Sequence, residues 1–343
     1  MLTFYAPDRP AVQMEDTARC LELTSHAVWI DVLSPSEEEE KVLEAALGSE
    51  IPTREEMQAI ELSSRLYEEN GVLFLTATVL TKADTSHPES SAITFILTKD
   101  KLVTLRYTEP TAFAAFRARR EANPHRYITN YDFMGGLIDA IVERLADILE
   151  GVGANIDKLS LRVFDRPVAT PMRRSANPLG RTTSGTLRKK RQRDFVEILT
   201  LIGGVSDLDS RVRESLVSFV RLVTFFRDSR KAEPAARETL AHTKAVLADL
   251  GSLTDHSSFL ASKISFLLDA TLGMINNEQN AIIKILSVAA LVFLPPTLVA
   301  GIYGMNFDLM PELRWVHGYP FALALMVIAA VLPYLLFRRK GWL

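Results

Sequence analysis

Two nearly unbroken apolar runs close the chain, from about Ile282 to Ile302 and from Tyr319 to Phe337. Each is roughly 19–21 residues, enough to cross ~30 Å of hydrocarbon as a helix. Lys284, at the very start of the first, is the only charge in either. The upstream pattern is different. Residues 1–130 alternate strand-like and helix-like segments, with β-branched and aromatic-rich runs at His26–Leu33, Gly71–Leu80, Ala92–Leu97 and Leu102–Tyr107. Ser36 and Glu39 have capping-box spacing at the head of a helix, and Thr98–Lys101 reads as the turn of a hairpin. These features predict an α/β domain.

From about Tyr131 the period changes, and apolar residues recur at i, i+3, i+4 and i+7, as in Phe133–Leu149. Residues 131–233 therefore read as helical, interrupted at 167–187 by a flexible basic insertion rich in Pro, Ser, Thr, Gly and Asn. After Glu233-Pro234 a helical pattern restarts and meets no proline until Pro295. Sixty unbroken residues at 1.5 Å each would make a rod of ~90 Å. The predicted order is a stalk helix over 234–281, a first span over 282–302, a loop over 303–318, a second span over 319–337 and a basic tail over 338–343.

Charge sets the orientation. Arg338, Arg339 and Lys340 follow the second span, whereas the loop carries Asp308 and Glu312 against Arg314. The positive-inside rule then places both termini in the cytoplasm and the loop outside. Tyr303, Trp315 and Tyr319 at one edge, and Tyr334 and Trp342 at the other, fit interfacial aromatic belts. The N-terminus shows no basic and apolar leader. A single cysteine, Cys20, excludes an internal disulfide, and six scattered histidines form no ligand pair at helical spacing. The first fifty residues hold eleven Asp and Glu against three Lys and Arg, which suits either a solvated helix surface or an interface that binds cations. Nine Lys and Arg fall between Arg166 and Arg193, in a solvated loop or a patch for anionic headgroups or an acidic neighbour. A net charge of −3, with no aromatics interleaved among the basic residues, argues against nucleic acid as a partner.

A coiled-coil stepping of four and three residues from Asp269 visits Asp269, Gly273, Asn276, Asn280, Ile283, Ser287, Ala290, Leu294, Thr297 and Gly301. Eight of these ten are polar or small, in a segment otherwise made of Ile, Leu, Val, Phe and Ala. A period of 3.5 keeps one face on a shared axis. In a bilayer such a face lines water or a close helix contact. Two spans cannot enclose a pore, so a pore requires several copies of the chain. Ile283 and Leu294 would then form apolar rings able to gate by dewetting. The one carboxylate of the stripe, Asp269, lies at its cytoplasmic end. Amides, a hydroxyl and carbonyls freed near Pro295-Pro296 suit a hydrated ion, since they can hydrogen-bond to its first-shell water.

The loop motif Tyr303-Gly304-Met305-Asn306-Phe307, followed by Met310-Pro311-Glu312-Leu313 and a basic tail ending Gly341-Trp342-Leu343, resembles the CorA magnesium transporters. The likeness extends back through Phe293–Ala300 and Asn280–Leu286, and more loosely through Glu61–Arg65. It implies a funnel-shaped homopentamer in the cytoplasmic (inner) membrane, with α/β domains on long stalk helices. Gly304, Met305 and Asn306 would form the selecting ring, Asn280 and Asp269 polar pore rings, and Arg338, Arg339 and Lys340 a basic collar. It also implies magnesium as both cargo and regulatory ion, with Asp249 and Asp255 offered as regulatory ligands. Cobalt and nickel are possible additional cargo, and a zinc transporter of the ZntB type is the alternative. No ATP-binding loop, nucleophile–base set or resident cofactor is expected, so the chain is read as a non-enzyme. Asp31, after a strand, is read as a helix cap or interface residue.

Overall fold

A computed structural model describes residues 1–7, 9–14, 20–59, 61–85, 87–164, 184–305 and 315–339. The chain divides into two units, Met1–Leu267 and Leu268–Leu343. The first is built on a seven-stranded sheet of β1 (Leu2–Tyr5), β2 (Val12–Gln13), β3 (Trp29–Leu33), β4 (Leu66–Glu69), β5 (Val72–Thr81), β6 (Glu89–Leu97) and β7 (Leu102–Arg106). The strands lie in the order β2-β1-β3-β7-β6-β5-β4, and β3 and β7 pair in parallel while the other neighbours are antiparallel. A parallel pair needs a long crossover. Here it includes α2 (Glu37–Leu47), the one-turn helices α3 (Arg54–Met57) and α4 (Leu62–Arg65), and the β4–β5–β6 meander.

The period of two along β3 decides the two faces of the sheet. Ile30 and Val32 point into one apolar core with Leu2, Phe4, Leu43, Val103 and Leu105, capped by α1 (Cys20–His26) and α2. Trp29 and Asp31 point to the other side, where α5 (Thr111–Ala122) and α6 (Asn130–Phe164) cover the sheet. There Trp29 stacks on Tyr5 at 4.1 Å and meets Phe116 and Phe133 at 5.4 and 5.5 Å. Gly136 of α6 lies so close to this cluster that an added Cβ would be 2.5 Å from Phe116 Cε2 and 2.7 Å from Tyr127 Cε1.

Local signals account for most element ends. Ser36 and Glu39 make the expected reciprocal capping box, and Gly48, at φ 68°, ends α2 in the left-handed conformation that glycine adopts without strain. The strand expected from His26 begins only at Trp29, because Cys20–His26 is helical. The strand expected from Gly71 begins at Val72, because Asn70 and Gly71, at φ 52° and 81°, turn the β4–β5 hairpin. Strand β4 pairs only with Val72–Leu75 of β5, so Thr78 further along needs other partners. Two serines one turn apart on α7 (Ser184–Ser229) supply them: Ser218 Oγ accepts from Thr78 N at 2.9 Å and Ser215 Oγ donates to Thr78 O at 2.7 Å.

The expected basic insertion needs a correction. Helix α7 starts at Ser184, so residues 184–187 are helical rather than loop, and 167–183 lie outside the described residues. Past a short turn at Pro234–Ala236, α8 runs from Arg237 to Tyr303. The second unit holds the C-terminal part of α8 and α9 (Gly318–Arg339), whose most apolar windows are only 6% buried.

Candidate functional site

A core helix of a water-soluble protein would hide its apolar face, but these two helices do not. Leu294 is 71% exposed and Ile283 60% exposed. So large a continuous apolar surface requires lipid or another protein surface. Both helices are long and apolar enough to cross a membrane. All ten stripe positions, Asp269, Gly273, Asn276, Asn280, Ile283, Ser287, Ala290, Leu294, Thr297 and Gly301, are exposed on α8. A groove of 760 Å³ runs along the helix beside Ala290, Leu294, Thr297, Gly301 and Met305.

The helix passes through Pro295 and Pro296 without a break in its assignment. Neither proline can donate an N–H, so the carbonyls of Leu291 and Val292 have no partner four residues on. One turn away, the Thr297 hydroxyl donates to the Phe293 carbonyl at 2.8 Å. The polar atoms of this stretch are therefore mostly acceptors. Such groups can take hydrogen bonds from the first-shell water of a cation.

Helix α8 ends on backbone bonds from Gly304 N to Ala300 O at 3.0 Å and from Met305 N to Ile302 O at 3.2 Å. A Cβ at Gly304 would stand 3.1 Å from the Ala300 carbonyl oxygen, which explains why this corner carries no side chain. Asn306, Asp308 and Glu312 lie outside the described residues, as do Lys340 and Trp342. Beyond the loop, Trp315 packs against Phe321 at 5.8 Å at the head of α9. Arg338 and Arg339 are exposed in its last turn.

Asp249 and Asp255 are both exposed on α8. Six residues apart, they stand roughly 120° from each other around the helix, so one chain does not bring them to one site. Among the described residues, no group of three or more His, Cys, Asp or Glu is placed to hold a metal.

Asp31 overturns its expected place. It sits within β3, 3% exposed, facing Arg106 of β7, which is fully buried. Arg106 donates through Nε to Asp31 Oδ1 at 2.9 Å and through Nη2 to Oδ2 at 2.7 Å. Thr104 Oγ donates to the same carboxylate at 2.9 Å and accepts from Trp29 Nε1 at 3.0 Å. Glu109 closes the network with Arg106 and Arg117. Burial opposes the Arg106 charge, but its bonds to Asp31 and Glu109 outweigh that and hold its pKa above the ordinary value. Each is a lone charge in an apolar run, a signal visible in the sequence, but that they meet depends on the parallel register of β3 and β7.

The family described as CorA-like Mg2+ transporter protein matches residues 24–339. The magnesium transport protein CorA of Pasteurella multocida is 34% identical over 340 residues, covering 99% of each chain. Among solved structures, the complete CorA magnesium transporter from Methanocaldococcus jannaschii superposes with a TM-score of 0.70 at 17% identity, covering 100% of this chain and 99% of the other. The cytoplasmic domain of ZntB from Vibrio parahaemolyticus shares the fold at a TM-score of 0.53 and 8% identity, over 80% of this chain and 98% of its own. The chain belongs to the CorA-like Mg2+ transporter family.

Proposed function

We propose that this chain carries magnesium into the cell across the cytoplasmic membrane, as a homopentamer whose α8 helices surround the path and whose termini are cytoplasmic. The observation that carries this reading is the stripe. Polar and small residues recur at coiled-coil spacing on one face of α8 through an otherwise apolar span, and in sequence that face leads into Gly304-Met305-Asn306. Membership of the family supports magnesium as cargo, and a zinc reading has only fold-level likeness behind it. No enzymatic step and no resident cofactor is part of the proposal. A divalent ion crossing 100 mV, inside negative, gains about 4.6 kcal/mol at ~2.3 per charge. That favours inward accumulation by roughly 10³-fold, and the proposal includes closure by internal magnesium as the limit on it. The test is uptake by the purified protein in liposomes, comparing magnesium, cobalt, nickel and zinc with and without an imposed potential. Potential-driven magnesium uptake that vanishes in Asn306→Ala is the expected result. Uptake that ignores the potential, or survives that substitution, refutes the proposed mechanism.

A further inference from the structure

A cavity of 680 Å³ opens within the first unit between α4, β5, α7 and α8, and transport gives it no role. Its size lies within the roughly 300–1,000 Å³ typical of small-molecule sites. Three guanidinium groups line it: Arg65 from α4, and Arg213 and Arg221 from one face of α7. The Arg65 Nε and Arg213 Nη2 atoms are buried with no hydrogen-bond partner. Arg65 Nη2 donates to the Met57 carbonyl at 3.4 Å and Thr78 Oγ at 3.2 Å, and Arg213 Nε donates to Ser257 Oγ at 3.2 Å, so each guanidinium is held in place by neutral acceptors only and keeps further N–H groups and its charge for an anion. Arg221 is exposed at the rim and, among the described residues, has no ion-pair partner.

The carboxylates present do not supply that anion. Asp209 reaches Arg213 only at 3.6 Å, and its own Oδ1 is buried and unpartnered. Glu214 is exposed and makes no ion pair among the described residues. Burial holds the Arg65 pKa below its ordinary value; Glu214 opposes the shift and the like charge of Arg221 adds to it. Leu66, Val217 and Ile264 give the same cavity an apolar wall.

We propose that this cavity binds a small phosphate ester. Its phosphoryl oxygens take the free donors of Arg65, Arg213 and Arg221, and its body lies on the apolar wall. Guanidinium forks match phosphate oxygens better than any other side chain does.

Calorimetric titration of the detergent-solubilised full chain, in metal-free buffer at fixed ionic strength, tests this with AMP, inorganic phosphate and adenosine as probes. AMP should bind, inorganic phosphate should bind more weakly, and adenosine should not bind. Arg221→Gln breaks no ion pair among the described residues and should weaken AMP at least tenfold without shifting the melting temperature. Arg213→Gln should weaken it similarly, whereas Asp209→Asn should leave phosphate affinity unchanged or raised. Absence of AMP and phosphate binding at millimolar concentration overturns the site, as does AMP affinity unaltered in the Arg213→Gln/Arg221→Gln protein. The readout is independent of ion uptake, so its failure leaves the transport reading untouched.

Discussion

Replacing Asp31 by Ala removes the acceptor of three hydrogen bonds, two from Arg106 and one from Thr104. Arg106, with no exposed surface, keeps only the Thr108 carbonyl at 2.8 Å and Glu109. Breaking a buried pair from one side costs about 3–5 kcal/mol, because the remaining charge stays desolvated. Glu109 still reaches Arg106, which places the expected loss near the lower end, about 3 kcal/mol. For a unit of this size, that is a fall of roughly 6–12 °C in melting temperature. Tryptophan fluorescence during heating of the solubilised full chain reports it, since Trp29 stacks on Tyr5 and donates to Thr104. A fixed scan rate is required, because membrane proteins often unfold irreversibly. The decisive comparison is Asp31→Ala/Arg106→Leu. Removing both charges should cost less than the sum of the single changes, and a melting temperature at or above that of Asp31→Ala is expected. If Asp31→Ala melts within about 2 °C of the parent chain, or the double change is simply additive, the pair does not hold β3 to β7 in the way argued.

The same cluster predicts that Gly136→Ala lowers stability by about 1–3 kcal/mol through overpacking against Phe116 and Tyr127, measured by the same melt. Gly151→Ala, in open space on the same helix, should show no such loss. For Glu109, burial raises the pKa, but its bonds to Arg117 and Arg106 outweigh this and hold it below the ordinary value. The stabilisation it gives is therefore present above the ordinary glutamate range and is lost as pH falls through the depressed value. Melting temperature followed from pH 6 to 3 should fall less steeply in Glu109→Gln, and equal slopes would contradict the shift. In the proposed pore, Leu294→Asp should hydrate the apolar ring assigned to Leu294 and raise magnesium leak into liposomes preloaded with magnesium. An unchanged leak removes Leu294 from the gate.

What could be read in advance followed from periodicity. The capping box at Ser36, the β6–β7 hairpin, the long helices and the two spans all repeat a local pattern over several residues. Short edge strands do not: β1, β2 and β4 have 4, 2 and 4 residues, too few for alternation to rise above the surrounding sequence. The Asn70-Gly71 turn was available as a signal and belongs to β4, whose Leu66–Glu69 run was too short to mark. Pairings between residues far apart were also hidden. Asp31 meets Arg106 across 75 positions, and the cavity joins Arg65 to Arg221. Neither follows from any spacing along the chain. The stripe on α8 was legible because one helix carries all of it, whereas the path proposed along it involves other copies and leaves no spacing to read in one.

The sheet keeps its long strands inside and its shortest ones outside: β5 and β6 have 10 and 9 residues, while the margins are β2 with 2 and β4 with 4. Unpaired strand margins are templates for adding a foreign strand, and shortness is one way to blunt them. Glu68 and Glu69 add charge to the β4 margin. Long, bare margins on a sheet of this size would invite zipping of one molecule's sheet onto another's. Here the backbone offers a second sheet almost nothing to pair with, so any contact made at these margins falls to side chains rather than to a shared ladder.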